Sequence, residues 1–582
     1  MVNGQGAQMN FELRDPSLFY KAHPDPEHHF KKFHIDRILS QLMGKNAVWQ
    51  DGQEIGVMAA IRGTSGLDVL ASFPTGSGKS LIYEVAGIFD SEFNHCVTVV
   101  FAPLVALMKD VYRRFYKRNV KAMIFHQDMP QHVYIGFISQ LRARDYPVFI
   151  VITPERFKKN HELRQIIQNI YEAGNLARFV LDEVHCLLQC HWRPSYLELQ
   201  HLRRDFVDVP ILAMSASLST DDIAETIHTL RIARERCILL GLSPNRPNLV
   251  YRIVTSTSRT GYSIAITDKK RQRVTKTQHI INFIQKKHSE KSGIIYCTTI
   301  GCCKAVSEEL RKDGVIARAY YASLTDEEKS AVETSWMAGA CHVIVATTAF
   351  GMGIDKPDVS FVIHYNMPTN LGDYYQESGR AGRNGETADC VIYYNFTDSH
   401  TKYTLGREST TFHRDSDEKF ELRKLMKPVH QVMAMCLDPL RCRRWQIICH
   451  LNPEYSPREN CRACDVCLGE HKNFILFNLH GIAKILVDLL IEIHDNDPES
   501  DVHPKRLVDI CWSSKGSKLK SVARRDGWEP NFSFPNGEKI TKAGLQRICE
   551  YLIVCDVFRE YPRDRGRYGP DWYLAVRVIF LF

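Results

Sequence analysis

The 582-residue sequence lacks the features that would place a protein in a membrane or outside the cell. It contains no run of about 18 consecutive apolar residues, so we expect no transmembrane helix. Its first residues lack the basic-then-apolar pattern of an export signal. Low-complexity tracts and short-period repeats are also missing. These absences predict a soluble, intracellular, globular protein with no membrane partner.

A strong excess of one charge is also missing. The chain has 75 Lys and Arg against 67 Asp and Glu, a net charge of +8, which favours polyanionic partners only weakly. The excess is uneven, because residues 501–582 hold 15 basic and 10 acidic residues. A basic C-terminal module suits nucleic acid, and a solvated basic face is the alternative.

The length predicts about three or four domains. Short β-branched runs alternate with helical patterns from about residue 50 to 240, and again after the turn-like SPNRPN at 243–248. This alternation predicts βαβ units, and hence an α/β fold of two parallel-sheet lobes in series. The predicted strands lie in 67–73, 97–103, 147–154, 177–183, 210–217, 292–299, 314–322, 341–348, 359–366 and 388–395. We expect an N-terminal extension (1–45), two lobes (46–243 and 244–425), a cysteine-rich module (426–470) and a C-terminal domain (471–582).

The first predicted strand runs into the glycine-rich segment 74–80 (PTGSGKS), and a helical pattern follows. Two glycines let successive backbone N–H groups point at a phosphate. Lys79 can reach the β- and γ-phosphates, and the Ser80 hydroxyl can bind Mg²⁺. The full pattern needs glycine at position 73, where this chain has Phe73, and a chance Gly/Ser turn is the alternative. The candidate phosphate-binding residues are Thr75, Gly76, Ser77, Gly78, Lys79 and Ser80.

An acid pair ends the strand predicted at 177–183. Asp182 would hold Mg²⁺, and Glu183 would orient or deprotonate the attacking water. Alone, such a pair is usually a solvated turn, but together with the upstream lysine loop it becomes specific. The first lobe is therefore predicted to hydrolyse ATP or another nucleoside triphosphate.

With His185, the acid pair forms a DExH box, and further segments resemble the motifs of superfamily 2 helicases in the same order. The chain resembles the RecQ family of DNA helicases, especially its Bloom-type branch. The matching segments are 101–110, 153–156, 215–217, 349–357 (AFGMGIDKP) and 374–383 (YYQESGRAGR). The resemblance implies two RecA-like lobes, ATP and Mg²⁺ as cofactors, and 3′-to-5′ movement on single-stranded DNA. It also implies duplex unwinding in recombination, repair or replication, in the nucleus.

The resemblance also assigns roles around the nucleotide. Gln53 matches a glutamine that reads adenine, since an amide can bond both N6 and N7 of the base. Arg380 and Arg383 would reach the γ-phosphate from the second lobe, a contribution worth about 10³ to 10⁵ in rate. His185 joins the catalytic set, and Asp355 and Gln376 join the nucleotide site. Because these groups lie on different lobes, hydrolysis requires closure, which can drive stepping along a strand.

Eighteen cysteines in a chain without an export signal indicate reduced thiols and a metal site. Four of them have the spacing of a closed structural zinc site, a module that the resembled family contains. A disulfide pair is the alternative and fits poorly with a reducing compartment. Cys436 is the alternative to one of the proposed ligands. The proposed zinc ligands are Cys442, Cys461, Cys464 and Cys467.

Two C-terminal segments resemble the winged-helix domain of the family. The first contains Ser514, Lys515 and Lys518, which suit phosphate oxygens and sequence-independent binding. The second comprises 554–561 and 572–578, which can form a hairpin. Tyr568 in its turn would stack on the last base pair. A solvated basic hairpin is the alternative.

Trp192 and Arg193 follow the DExH box closely. Trp192 offers a stacking face to an unpaired base and Arg193 offers charge to its phosphate, so DNA binding there could shift the acid pair. The alternative is that Trp192 packs in the core. The segment departs from the family pattern, because it is two residues short.

We therefore expect an ATP-dependent DNA helicase whose partners are single-stranded and duplex DNA, with protein partners unknown. One rival is an RNA-acting DExH helicase, which would lack the zinc and winged-helix tail. A second rival is a DNA-binding or strand-annealing protein with an uncoupled motor, which the short segment near Trp192 favours.

Overall fold

The computed structural model describes residues 28–50, 52–61, 67–103, 105–188, 194–216, 218–255, 275–351, 356–409, 418–451, 461–469, 480–497, 501–513, 542–564 and 570–576. All the predicted DNA-contacting residues and one nucleotide-site residue lie outside the described residues. They are Trp192, Arg193, Asp355, Ser514, Lys515, Lys518 and Tyr568.

The first lobe is built on a seven-stranded parallel sheet. Its strands are β1 (Asp68–Ser72), β2 (Val97–Phe101), β3 (Ala122–Phe125), β4 (Phe149–Ile152), β5 (Leu176–Leu181), β6 (Ile211–Ser215) and β7 (Cys237–Gly241), in the spatial order β3-β4-β2-β5-β6-β1-β7. The inner strands are almost entirely buried, as expected for a parallel sheet covered by helices on both faces. The carboxyl ends of β1 and β5 therefore lie at the same edge of the sheet, where the predicted loop and acid pair begin.

The helices of the first lobe are α1 (His28–Met43), α2 (Gln53–Ala60), α3 (Ser80–Asn94), α4 (Val105–Lys117), α5 (Gln131–Arg142), α6 (Pro154–Lys159), α7 (His161–Glu172), α8 (Leu202–Asp205) and α9 (Thr220–Thr229). Short 3₁₀ helices cover Val184–Leu187, Pro194–His201 and Arg234–Arg236. The sequence explains several helix starts. Thr153 caps α6 through its side chain and is followed by proline at the first turn, and Ser219 forms a capping box with Asp222.

The second lobe holds a six-stranded parallel sheet. Its strands are β8 (Leu249–Thr255), β9 (Ser292–Tyr296), β10 (Ala317–Tyr320), β11 (Val343–Ala346), β12 (Val359–His364) and β13 (Ala388–Tyr394), in the spatial order β10-β11-β9-β12-β13-β8. Its helices are α10 (Lys276–Lys287), α11 (Ile300–Lys312), α12 (Asp326–Met337), α13 (Leu371–Ser378) and α14 (Thr397–Ser409). All ten predicted strands are observed, and the prediction of two parallel-sheet lobes is confirmed.

The C-terminal third packs on the second lobe. It contains α15 (Glu418–Leu437), α16 (Arg443–Leu451), α17 (His480–Asn496), α18 (Pro504–Ser513), α19 (Lys542–Val554) and an antiparallel hairpin of β14 (Phe558–Asp564) and β15 (Pro570–Val576). One apolar cluster runs from Leu249 through Met433 and Leu486 to Leu574. The Tyr394 hydroxyl also donates to Glu550 Oε2, at 3.2 Å. These contacts hold the C-terminal elements against the lobe.

Two parts of the fold differ from the sequence expectation. Three strands, β3, β7 and β8, were not predicted. Part of the predicted N-terminal extension (1–45) also packs on the first lobe. Ile35, Ile38 and Leu39 of α1 are buried in the same apolar cluster as residues of α3. No helix among the described residues is long and apolar enough to span a lipid bilayer.

Candidate active site between the two lobes

The glycine-rich loop folds between β1 and α3, and its shape depends on two glycines. Gly76 (φ +82°) and Gly78 (φ +69°) adopt the left-handed conformation that other residues rarely take. A Cβ atom on Gly78 would lie only 2.4 Å from Gln53 Nε2. The buried Gln53 amide donates to Ser77 O at 2.8 Å. The predicted adenine-reading residue is thus in contact with the predicted phosphate loop.

Lys79 and the acid pair converge beside this loop. Lys79 Nζ donates to Phe73 O at 3.3 Å, and burial lowers the pKa of its ammonium group against the opposing charges of Glu183 and Asp182. Glu183 takes the left-handed conformation (φ 51°, ψ 52°), which costs a non-glycine residue on the order of 1 to 2 kcal/mol. This conformation turns the chain sharply at the end of β5, so that both carboxylates stay near Lys79.

The two carboxyl groups have opposite pKa shifts. Burial, reinforced by the neighbouring charge of Glu183, raises the pKa of Asp182. Burial would also raise the pKa of Glu183, but the His185 hydrogen bond and the Lys79 charge outweigh it and lower that pKa. Two carboxyl groups separated in this way can take different roles in one reaction.

His185 links the acid pair to other segments of the site. Its Nδ1 lies 3.0 Å from Ser215 Oγ at the end of β6 and 3.3 Å from Glu183 Oε2. On its other side, Nε2 lies 3.5 Å from Gln376 Nε2 of the second lobe. Gln376, predicted at the nucleotide, therefore contacts the DExH box from across the cleft.

The turn after α13 brings one of the two predicted arginines, Arg383, to the loop. Thr75 Oγ1 of the loop donates to Gly379 O at 3.3 Å. A Cβ atom placed on Gly76 would lie 3.5 Å from Arg383 Cγ, so Arg383 lies against the phosphate loop. Arg380 donates to Gly351 O of its own lobe. Residues some three hundred positions apart are therefore in direct contact.

One residue of this site was missed by the sequence interpretation. Arg246, in the segment between β7 and β8, donates from Nη1 to Thr75 O (3.0 Å) and Gly379 O (3.3 Å). Its Nη2 donates to Ala381 O (3.1 Å) and Gly382 O (2.9 Å). From its sequence, this segment was predicted only to be a turn. An arginine between two prolines was the one available signal.

The four cysteines predicted as zinc ligands come together, with their sulfur atoms all within 4.8 Å of one another. They are Cys442, Cys461, Cys464 and Cys467. The Trp445 amide donates to Cys442 Sγ at 3.5 Å and the Cys467 amide to Cys464 Sγ at 3.4 Å, contacts that suit metal-bound thiolates. Cys436 is buried in the apolar core instead, where burial raises the pKa of its thiol to about 12. The group could hold a metal ion.

Side-chain contacts fix this cysteine module to the second lobe. The buried Arg443 donates from Nε to Asp465 Oδ1 at 3.0 Å. The other oxygen of Asp465 accepts from the Ile253 amide of β8 at 3.1 Å, and the Asp465 amide donates to Tyr251 O. Hydrogen bonds of Asp465 therefore attach the cysteine group to strand β8.

Comparison with known proteins identifies the class first. The profile described as "DEAD/DEAH box helicase" matches residues 52–226, and "Helicase conserved C-terminal domain" matches residues 275–385. The crystal structure of the DUF1998 helicase MrfA bound to DNA has the same fold. It aligns with a TM-score of 0.50 and 15% identity, over 69% of this chain and 53% of that one. The lobes and their facing site therefore define a helicase-type protein.

Curated relatives identify the family. "ATP-dependent DNA helicase Q1" of Rattus norvegicus is 31% identical over 78% of this chain and 68% of its own length. "ATP-dependent DNA helicase hus2/rqh1" of Schizosaccharomyces pombe is 32% identical over 86% of this chain and 36% of its own length. "RecQ-like DNA helicase BLM" of Xenopus laevis is 33% identical over 83% of this chain and 35% of its own length. The chain belongs to the RecQ family of DNA helicases, and it spans about a third of the length of the latter two relatives.

Proposed function

We propose that the protein is an ATP- and Mg²⁺-dependent DNA helicase. It moves 3′ to 5′ on single-stranded DNA, unwinds duplex DNA, and acts in recombination, repair or replication in the nucleus. One observation carries the proposal: the phosphate loop around Lys79 and the turn holding Arg383 are in hydrogen-bond contact across the two lobes. That arrangement makes hydrolysis depend on how the lobes are placed.

Different residues of the chain have separate roles in ATP hydrolysis. ATP supplies the γ-phosphoryl group, and Mg²⁺, when bound, would supply positive charge that offsets the charge developing on that group. The loop N–H groups and Lys79 would hold the phosphates, and Ser80 and Asp182 would hold Mg²⁺. Glu183, with its lowered pKa, stays a carboxylate at neutral pH and accepts a hydrogen bond from the attacking water. A carboxylate of lowered pKa is a weak base, so Glu183 orients the water and does not deprotonate it.

Coupling to DNA runs through the segment after the acid pair. His185 touches Glu183 on one side and Gln376 of the second lobe on the other. Trp192 and Arg193 follow within a few residues and are the proposed contacts with an unpaired base and its phosphate. Strand binding there would act on the acid pair through His185.

The C-terminal third supplies a structural metal site and a DNA-binding domain. The cysteine group has four sulfur donors and receives amide hydrogen bonds, as a closed zinc site requires. We assign residues 426–470 to this module and 471–582 to a winged-helix domain. Helices α18 and α19 and the β14–β15 hairpin support that domain, in which Ser514, Lys515, Lys518 and Tyr568 would meet DNA.

Strand separation on partial duplexes tests the proposal. Substrates carry a 3′ or a 5′ single-stranded tail, in DNA and RNA versions, with Lys79→Ala as the inactive control. We expect ATP-driven unwinding of the 3′-tailed DNA only. Unwinding of RNA would support the RNA helicase rival. DNA-stimulated ATP hydrolysis with annealing and without unwinding would support the uncoupled motor.

A further inference from the structure

The segment that joins the two lobes carries an arginine with an unusual set of partners. It runs from the end of β7 at Gly241 to the start of β8 at Leu249. The Arg246 guanidinium makes four hydrogen bonds, at 2.9 to 3.3 Å, and all four acceptors are backbone carbonyls. A planar fork of donors fixes the direction of each bond, so these carbonyls are held at defined positions around it.

Those carbonyls belong to both halves of the candidate active site. Thr75 O lies in the phosphate loop of the first lobe, and the remaining three lie in residues 379–382 of the second lobe. The latter stretch directly precedes Arg383, whose side chain lies against Gly76. Arg246 therefore bridges the phosphate loop and the turn that precedes Arg383.

The joining segment is itself held at several points. Arg444 of α16 donates from Nη2 to Pro247 O (3.1 Å) and Leu249 O (2.7 Å). Asn248 Nδ2 donates to Gly382 O and Glu386 O, each at 2.8 Å. Tyr375 donates its hydroxyl proton to Pro244 O at 3.0 Å. With its backbone fixed in this way, Arg246 can act as a rigid spacer.

We propose that Arg246 is a positioning residue for ATP hydrolysis, which sets the separation between the phosphate loop and the turn that carries Arg383. This inference rests on the proposed function, because it assigns a role within the same site. A shift of about 1 Å between reacting groups can lower a rate about 100-fold. Loss of the spacer therefore slows the chemical step while the loop and Lys79 still bind the nucleotide.

Steady-state ATP hydrolysis, at saturating single-stranded DNA, tests the proposal with Arg246→Lys and Arg246→Gln. Lysine keeps the charge, but its single ammonium group cannot reach four separated carbonyls. We expect kcat to fall about 10- to 100-fold in both variants, with little change in the KM for ATP. The matched control is Arg142→Lys, an exposed arginine of α5 paired with Glu162, which should leave both constants unchanged.

Hydrogen exchange of the nucleotide-free proteins gives a second readout that needs no catalysis. Amides of residues 73–79 and 379–385 should exchange faster in both Arg246 variants than in the wild type and the control. If the wild type hydrolyses no ATP, the proposed function fails, and the exchange data alone decide the role of Arg246. Unchanged kcat, or a raised KM with unchanged kcat, would overturn the inference. So would unchanged exchange, or failure of both variants to fold.

Discussion

Gly379, which begins the turn carrying both arginines, offers the sharpest test of the contact between the lobes. Its backbone (φ −64°, ψ −7°) is one that alanine adopts freely, so the effect of Gly379→Ala comes from the atoms that the added Cβ meets. The added Cβ would lie 2.1 Å from Thr75 Oγ1, 3.1 Å from Thr75 Cβ and 2.8 Å from Tyr375 O. The substitution therefore acts chiefly by pushing the phosphate loop away from the turn.

The size of the effect follows from these distances. Ordinary contact with a Cβ atom begins at 3.4 Å, so Thr75 Oγ1 must move by more than 1 Å, which breaks its hydrogen bond to Gly379 O. A misplacement of that size lowers a rate by about 100-fold. Expressed as lost transition-state stabilisation, this is about 3 kcal/mol. We expect kcat to fall by that factor.

A double-mutant cycle with Thr75→Ala checks the cause. Removing the Thr75 hydroxyl removes the 2.1 Å clash, so the double variant should hydrolyse ATP faster than Gly379→Ala alone. Gly301→Ala is the matched control, because its added Cβ meets no atom within 4 Å. In that control α11 should gain roughly 0.5 to 1 kcal/mol without any change in kcat. Full activity of Gly379→Ala, or no recovery in the double variant, would refute the reasoning.

Three further predictions concern separate parts of the molecule. Glu183→Gln should bind ATP but hardly hydrolyse it, and wild-type turnover with Mg²⁺ would contradict the water-orienting role. Cys464→Ser should lose zinc, which contributes roughly 10 kcal/mol or more in small modules; one equivalent of zinc in the purified variant would argue against the ligand set. Burial raises the pKa of Glu550 from 4.5 to about 7, so stability is lost as pH rises through that range. Glu550→Gln should thus add about 2 to 3 kcal/mol near pH 8 and nothing below pH 4.5, measured by thermal unfolding.

The sequence predicted most reliably those features whose residues are neighbours along the chain. The loop at 74–80 and the acid pair each follow a strand of continuous apolar residues, so neighbouring residues alone predict their chemistry. Strand β8 was missed because Arg252 interrupts its apolar pattern. The structure neutralises that charge with Asp389 of β13, a partner far away in sequence. Strand β3 has four residues of alternating burial, whereas the predicted four-residue strands β4 and β11 are buried along their whole length.

The contact between the lobes depends on hydrogen bonds to backbone carbonyls, which cannot be recognised in a sequence. Motifs are recognised by side chains whose types suit one another, such as a lysine and an acid pair. The acceptors of Arg246 are carbonyl oxygens, which every residue supplies, so nothing about residues 379–382 reveals that an arginine binds there. From its sequence, the segment at 243–248 was therefore interpreted only as a connection between domains. Its bonds to both lobes make it a third component of the site, next to the loop and the turn. For that reason a substitution at Arg246 should alter hydrolysis although every predicted nucleotide contact stays in place.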